Sequence, residues 1–265
     1  MIHDYYLFKS KDYNEKELAI NKKEILDKVK NNNYDDFLPQ KEDIKGLPNH
    51  TILLKIKFTL KKPYTSKDEG EFHIIDGQPF YNPIIRDKFT GLPMVKPTTW
   101  KGHLRFSAKM VEDKDNNKSI EIIDRLFGGE SGSNNAKRGR LYFFPTFFKG
   151  ESKRDVITPI KRDTRTPAEG KSPVNIEVMG KGDGGEFNLL YLHCPKANDY
   201  SETQIQEDLE ILAKSLELMF YTYGFSAKKT SGFGVIQRLK DSDVDIYPEE
   251  KRIFFSNLWN DGGSL

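Results

Sequence analysis

The feature that most limits the fold of this chain is an alternation of apolar residues between positions 52 and 60, in which Leu53 is the one apolar residue out of phase. Every second residue is apolar: Ile52, Leu54, Ile56, Phe58 and Leu60. Successive side chains of a β-strand point to opposite faces, so this pattern predicts a strand with one buried face. Pro63 ends the pattern, because proline cannot donate a hydrogen bond to a neighbouring strand.

A long amphipathic helix is predicted to cover that face. Its apolar residues recur at three- and four-residue steps and form one stripe: Ile205, Leu209, Leu212, Leu216, Met219, Phe220 and Tyr223. Gly224 ends the helix. We also predict a helix at 120–127, an aromatic strand at 141–148, and a hairpin that pairs 174–178 with 187–191. This element order predicts an α+β fold, an antiparallel sheet with helices on one face.

A further helix begins abruptly near position 97 and has the chemistry of an anion site. Lys96 and Pro97 precede two hydroxyl residues, Thr98 and Thr99, which we expect to cap the helix that carries Trp100 and Leu104. Four basic residues and no carboxylate lie between positions 96 and 109, so their charge adds to the helix dipole. A phosphate fits this pattern, and so does an ordinary capped helix with a solvated basic face.

A second candidate phosphate site follows the long helix. Two lysines, two hydroxyl residues and two glycines precede a strand, in the order Lys228, Lys229, Thr230, Ser231, Gly232, Phe233 and Gly234. Glycines permit close backbone approach to a phosphate, and lysines supply the charge. The segment is not a Walker motif, since the order is reversed and a strand follows it.

These two motifs resemble the RAMP superfamily, the RNA-binding proteins of CRISPR effector complexes. The family motif runs Gly-Leu-Pro and then Pro-Gly-Ser-Ser-Leu-Lys-Gly-x-x-Arg. This chain has Gly-Leu-Pro at 91–93 and Lys-Pro-Thr-Thr-Trp-Lys-Gly-His-Leu-Arg at 96–105. The family glycine after proline is absent, and Trp100 replaces an aliphatic residue. The segment 227–235 resembles the glycine-rich loop of the same family.

The resemblance implies a modified ferredoxin-like or RRM-like fold with a thumb-like insertion. We predict an N-terminal helical appendage and linker at 1–48, an RNA-binding domain at 49–240 with the insertion at about 149–172, and a C-terminal tail at 241–265. The appendage carries Leu18, Ile25 and Val29 at helical spacing.

The implied function is that of a guide-RNA-binding backbone subunit of a type III CRISPR effector complex in antiviral defence. Its expected partners are the CRISPR guide RNA, the target RNA and other effector subunits. The implied RNA-binding residues are Lys96, Thr98, Thr99, Lys101, Arg105, Arg162, Arg165, Lys228, Lys229, Thr230, Ser231, Gly232, Phe233 and Gly234. Phosphate contacts position an RNA without reading its bases, so recognition is expected to tolerate sequence.

The resemblance also implies candidate catalytic residues for cleavage of target RNA. Type III backbone subunits carry an aspartate in the loop after the first strand, where this chain has Asp68 and then Asp76. An aspartate there holds a divalent cation, Mg or Mn, or helps to align a ribose 2′-hydroxyl for attack on its own phosphate. The glycine-rich stretch that precedes this aspartate in the family is replaced by Pro-Tyr-Thr-Ser-Lys at 63–67.

Two other functions within the family stay open at this point. One is a non-catalytic cap subunit of the same complex. The other is a single-copy endonuclease that processes the guide precursor, with His73, His103 or His193 as general base. None of these histidines stands in a sequence pair with tyrosine or another histidine.

Composition is compatible with these expectations and excludes others. The net charge is only +2, from 42 basic and 40 acidic residues, but ten basic residues against four acidic ones lie between positions 137 and 171. A single cysteine, Cys194, excludes a disulfide framework and a multi-cysteine zinc site. The sequence has no apolar run of membrane-spanning length and no signal-peptide layout at its start, so we expect a cytoplasmic protein with no membrane partner.

Overall fold

The computed structural model describes residues 38–67, 73–75, 78–80, 82–87, 90–111, 116–129, 138–158, 161, 163–164, 166, 170, 172–193 and 201–260. The strands are β1 Ile52–Thr59, β2 His73–Ile75, β3 Gln78–Phe80, β4 Met94–Val95, β5 Leu141–Phe143, β6 Thr146–Phe147, β7 Lys153–Ile157, β8 Val174–Val178, β9 Gly184–Tyr191 and β10 Val244–Tyr247. The α-helices are α1 Pro97–Ala108, α2 Asn116–Phe127 and α3 Glu202–Glu217. The last is continued by a π-helical turn, Leu218–Tyr223.

A four-stranded antiparallel sheet in the order β10-β1-β9-β5 forms the centre of the fold. β1 pairs with β9 along its whole length, from Ile52 opposite Tyr191 to Thr59 opposite Gly184. We call the end at Thr59 and Gly184 the upper end, and the end at Ile52 and Tyr191 the lower end. The order, with helices between β1 and β5 and between β9 and β10, is that of a ferredoxin-like fold, which confirms the predicted fold class.

The helices cover one face of this sheet, as the apolar patterns predict. All five alternating apolar residues of 52–60 are buried, and so is the α3 stripe from Ile205 to Phe220, while Tyr223 stays half-exposed. α1 and α2 add Trp100, Leu104 and Leu126 to the same core. The sheet and all three helices therefore share one hydrophobic core.

Trp100 lies at the centre of an aromatic cluster within this core. Its ring is fully buried and packs against Phe187 at 4.8 Å and Phe225 at 4.3 Å between centroids. Its indole N–H donates to the Thr146 hydroxyl at 3.1 Å, and that hydroxyl donates to the Glu186 carbonyl at 2.7 Å. The tryptophan that replaces an aliphatic family residue thus anchors the start of α1 to the upper end of the sheet.

The predicted hairpin between 174–178 and 187–191 is wrong. β8 pairs instead with β7, from Lys153 opposite Val178 to Ile157 opposite Val174. β9 is already paired on both sides, by β1 and β5, so it has no free edge for β8. The β7–β8 ribbon carries the segment 158–173 at its far end, where the sequence predicts the thumb-like insertion.

Four other segments differ from the sequence-based predictions. The loop predicted after the first strand, which carries Asp68 and Asp76, contains a short hairpin of β2 and β3. The single strand predicted at 141–148 is divided into β5 and β6 around Pro145. Residues 244–247, within the predicted tail, pair with β1 as the edge strand β10. Within the predicted linker, a 3-10 helix at Lys41–Gly46 buries Ile44. The appendage helix predicted around Leu18, Ile25 and Val29 lies outside the described residues.

A buried ionic network fastens the lower end of the fold. The carboxylate of Asp208 on α3 accepts hydrogen bonds from Arg125 Nε at 2.8 Å, Arg140 Nη1 at 2.6 Å and the Tyr191 hydroxyl at 2.8 Å. Asp208 is fully buried. Burial, and then the charge of Asp208, raise the pKa of Tyr191 far above its ordinary value, so the phenol stays a neutral donor. The network joins α2, the residue directly before β5, β9 and α3.

Among the described residues, no helix combines the length and apolar composition needed to cross a lipid bilayer.

Candidate nucleic-acid interface

The glycine-rich segment forms a tight loop at the upper end of the sheet. Lys229–Ser231 is one turn of 3-10 helix, closed by Gly232 in the left-handed conformation at φ 75°. The side chains of Lys228, Thr230 and Ser231 are exposed on this turn. A Cβ atom at Gly232 would meet nothing within 4 Å, so this glycine serves the turn and leaves its outer surface open.

Gly224 and Gly234 have a different role, since they let the two ends of the loop cross. Both have positive φ, at 71° and 78°. A Cβ at Gly224 would lie 2.3 Å from the Phe233 carbonyl oxygen, and one at Gly234 would lie 2.7 Å from the Ser226 nitrogen. The Phe225 N–H donates to the Gly234 carbonyl at 3.3 Å. The second motif glycine is therefore required by the chain's own packing rather than by a ligand.

The loop lies against the segment that leaves β1. The Gly234 N–H donates to the Pro63 carbonyl at 2.8 Å, and the Ala227 N–H donates to the Thr65 carbonyl at 3.1 Å. The Ser226 hydroxyl accepts from the Thr65 N–H at 3.0 Å and donates to its carbonyl at 2.9 Å. Residues 63–67, which lead to the candidate catalytic loop, are thereby attached to the glycine-rich loop.

α1 begins at the same end of the sheet, directly after β4. Lys96 is the N-cap residue and Pro97 the first helical residue. No side-chain hydrogen bond caps the helix among the described residues, so the predicted hydroxyl cap by Thr98 or Thr99 is wrong. Proline has no N–H to cap and fixes the first turn by its ring. Lys96, Thr98 and Lys101 are exposed, and Thr99 is half-buried.

The exposed face of α1 is open at Gly102. A Cβ atom there would meet nothing within 4 Å among the described residues, so none of their packing contacts requires a glycine. An interior helical glycine costs about 1 kcal/mol relative to alanine. The residue leaves bare helix surface beside Lys101, at a place where a ligand backbone can approach closely.

Lys229 joins the two motifs in space. Its ammonium nitrogen lies 3.7 Å from the centroid of the Phe106 ring on α1, in cation–π geometry. Burial, and then the charge of Lys229, lower the pKa of His103 to about 4. The structure thus brings the glycine-rich loop to the last turn of α1, as a continuous phosphate-binding surface requires.

Arg105 lies beside a carboxylate of the neighbouring helix. Its Nη2 lies 3.4 Å from the Asp124 carboxylate on α2, and its Nε is buried without a hydrogen-bond partner among the described residues. The motif does not reveal this ion pair. That Arg105 contacts phosphate stays a prediction.

Sequence reasoning missed three lysines of the interface. Lys61, Lys62 and Lys67 are exposed in the segment that follows β1. The N–H groups of Lys61 and Lys62 both donate to the Val235 carbonyl, at 2.9 and 3.1 Å, which fixes these residues beside the glycine-rich loop. The sequence feature that could have revealed them is the Lys-Lys-Pro segment that follows the clearest strand and precedes the candidate catalytic loop.

A buried ion pair fixes the segment that leads into α1. Glu177 of β8 accepts from Arg86 Nη2 at 2.5 Å and from the Ser152 hydroxyl through one carboxylate oxygen. The other oxygen accepts from the Ile84 N–H at 2.9 Å, and Arg86 also donates to the Gly91 carbonyl at 2.9 Å. Since both charged side chains are buried, the pair holds the β7–β8 ribbon against the segment that leads into α1.

Four predicted site residues lie outside the described residues: Asp68, Asp76, Arg162 and Arg165. Asp68 follows Lys67 in sequence, so its loop leaves the described structure at the interface. In the part of the chain that the structure describes, no group of three His, Cys, Asp or Glu side chains is placed to hold a metal ion.

Two of the three histidines suggested as general bases have surroundings that the structure describes. His193 is 2% exposed, with its Nδ1 3.3 Å from the Tyr191 hydroxyl and its Nε2 accepting from the Ser201 N–H at 3.4 Å. The lowered pKa of His103 makes it a weak base near pH 7. The side chain of His73 lies outside the described part of the structure.

The class of protein follows from this fold and its interface, and comparison with known proteins identifies it. The sequence profile of the RAMP superfamily matches residues 69–237, which is more than half of the chain. This chain belongs to the RAMP superfamily.

Two known proteins are similar to particular parts of it. The CRISPR system Cms endoribonuclease Csm3 of Streptococcus thermophilus is 28% identical over 176 residues, which cover 62% of this chain and 77% of that protein. A chain of the cryo-EM structure of the Type III-B Cmr-beta bound to cognate target RNA matches with a TM-score of 0.52 and 17% identity. That match covers 88% of this chain and 75% of the other, and it supports the fold.

Proposed function

We propose that this protein is a guide-RNA-binding subunit of a type III CRISPR ribonucleoprotein effector. The observation that carries the proposal is the contact between the exposed glycine-rich turn and helix α1 through Lys229 and Phe106. The similarity to Csm3 supports assignment to a type III complex. An effector of this kind acts in the cytoplasm.

The charged groups at this end suit a phosphate backbone. Lys96, Lys101 and Lys228 are exposed, as are the lysines that follow β1. A single RNA strand offers one negative charge per nucleotide, and lysines grip it as point charges without demanding a fixed orientation. The glycines at 102 and 232 let the strand approach the backbone. Binding of this kind positions the guide and leaves its bases to pair with the target.

We assign the β7–β8 ribbon to contacts with partners other than the guide RNA. Val156 and Val174 lie in its outer half and are 54% and 41% exposed. The thumb-like segment 158–173, with Arg162 and Arg165, follows directly. In the assembled effector, we propose that this ribbon contacts the target RNA and neighbouring subunits.

Isolation of the protein from its host under native conditions tests the proposal. We expect it to co-purify with other effector subunits and with RNA whose sequences derive from CRISPR repeats and spacers. Sequencing of the bound RNA provides the measurement. Isolation as a single protein without bound RNA, or with unrelated RNA alone, would contradict the assignment.

Cleavage of the target is proposed for Asp68, with Asp76 as the second choice. The described residues supply no cluster of metal ligands, so we assign no step to the divalent cation that the sequence suggests. The argument for Asp68 is its place in the chain, directly after residues 63–67, which are attached to the glycine-rich loop. A carboxylate there can help to align a target 2′-hydroxyl for attack on the adjacent phosphate.

Asp68→Ala in the assembled effector is therefore expected to abolish target cutting at regular intervals and to leave guide and target binding intact. The measurement is cleavage of a labelled target together with its binding affinity. Asp245→Ala, which removes an exposed carboxylate on β10, is the matched control and should cut normally. If Asp68→Ala cuts normally, Asp76→Ala is the next test. Persistence of cutting in both variants would assign the chain to the non-catalytic cap function.

A further inference from the structure

An aromatic pair outside the core lies beside the proposed phosphate surface. The rings of Phe106 on α1 and Tyr223 at the end of the π-helical turn meet edge to face, with centroids 5.2 Å apart and an interplanar angle of 85°. Both side chains are partly exposed. The Lys229 ammonium stands over the Phe106 ring at 3.7 Å. The pair therefore combines an aromatic surface with a cation at the point where the two phosphate motifs meet.

The position of this pair is not explained by packing of the core. The neighbouring aromatic residues Trp100, Phe220 and Phe225 are fully buried, whereas Phe106 and Tyr223 are only partly buried. Gly102 lies one helical turn before Phe106 on the same side of α1, and its lack of a side chain leaves a gap beside the ring. The surface at this point is open, aromatic and bordered by lysines.

We infer that Phe106, supported edge to face by Tyr223, forms a stacking site for one unpaired base of the bound RNA, an inference that rests on the proposed function. Proteins that bind single strands combine a cationic surface for the backbone with aromatic rings on which bases stack, since every base has a π face. In the free protein the Lys229 ammonium occupies the face of Phe106. A bound phosphate attracts this ammonium by full charge, which is stronger than its attraction to a ring in contact with water. Departure of the ammonium frees the ring for a base.

The site gives the interface a second kind of contact. Phosphate contacts at Lys101 and Lys228 hold the strand regardless of its bases, while the aromatic pair holds one base without distinguishing its identity. The base stacked there is held by the protein.

The experiment compares two single-stranded probes on the full-length protein freed of its own RNA: an oligouridine and an abasic ribose-phosphate oligomer of equal length. Phe106→Leu removes the aromatic ring and keeps an apolar side chain. We expect it to weaken oligouridine binding roughly tenfold, within the range of stacking contributions, and to leave abasic binding unchanged. Phe106→Trp, which retains a stacking ring, should bind oligouridine as tightly as the unmodified protein does.

The control is Phe254→Leu, which alters a half-exposed ring that also lies near a lysine, Lys251, but on the C-terminal 3-10 helix Glu249–Leu258. It should bind both probes like the unmodified protein. Equal losses on both probes, or no loss on either, would overturn the stacking site. So would loss of subunit assembly with normal oligouridine binding, which would assign the rings to a protein partner. If the unmodified protein binds neither probe, the proposed function fails, and the stacking site fails with it.

Discussion

Replacing Lys101 and Lys228 together by alanine is expected to weaken RNA binding by at least roughly tenfold, and to do so equally for all RNA sequences. The two lysines are exposed on the two motifs that meet at the upper end of the sheet. A hydrogen bond to a charged group contributes about 1.5–3 kcal/mol, and each 1.4 kcal/mol corresponds to a factor of ten. Sequence independence follows because phosphates carry no base information.

The salt dependence of binding gives a second measure of the same variant. Each phosphate contact on a single strand contributes about 0.7 to the slope of log K against log salt concentration, so loss of two contacts should reduce the slope by about 1.4. Lys41→Ala with Lys45→Ala is the matched control, since it removes two exposed lysines from the 3-10 helix at Lys41–Gly46. Unchanged affinity and slope in the Lys101 and Lys228 variant would exclude this surface as the phosphate site.

Asp208→Ala is expected to lower the free energy of unfolding by about 3–5 kcal/mol, the cost of breaking a buried ion pair by removing one partner. The change removes the acceptor that the Arg125 and Arg140 guanidinium groups share. It also removes the acceptor of the Tyr191 hydroxyl. Urea denaturation measures the loss. The network lies at the lower end of the fold, so RNA affinity of the remaining folded protein should not change.

A surface ion pair provides the control for this variant. Asp241 pairs with Arg252 at 2.8 Å, and its side chain is 69% exposed. Asp241→Ala should cost roughly 1 kcal/mol or less, because exposed pairs contribute little. A similar small loss for Asp208→Ala would mean that the buried network does not hold the four elements together.

Periodicity predicted the parts of this fold that depend on one segment at a time. The alternation that ends at Leu60 and the stripe that begins at Ile205 are patterns of a single strand and a single helix, and both are buried as predicted. The two candidate phosphate-binding motifs were also found from local composition. Their contact through Lys229 and Phe106 was not, because it joins residues far apart in the sequence.

The predictions that were wrong concerned partners rather than elements. The segments 174–178 and 187–191 are strands, but periodicity does not specify which neighbour a strand pairs with. The expected cap by Thr98 or Thr99 failed because Pro97 sets the first turn. Each outcome depends on contacts that a single local segment does not encode.

Ultraviolet crosslinking of the native particle, followed by mass spectrometry of the crosslinked peptides, tests the central claim most directly. The claim is that guide RNA lies along the upper end of the sheet, between α1 and the glycine-rich loop. We expect crosslinked peptides from residues 96–109 and 224–235. Crosslinks confined to other surfaces, such as the 3-10 helices at 41–46 and 249–258, would contradict it.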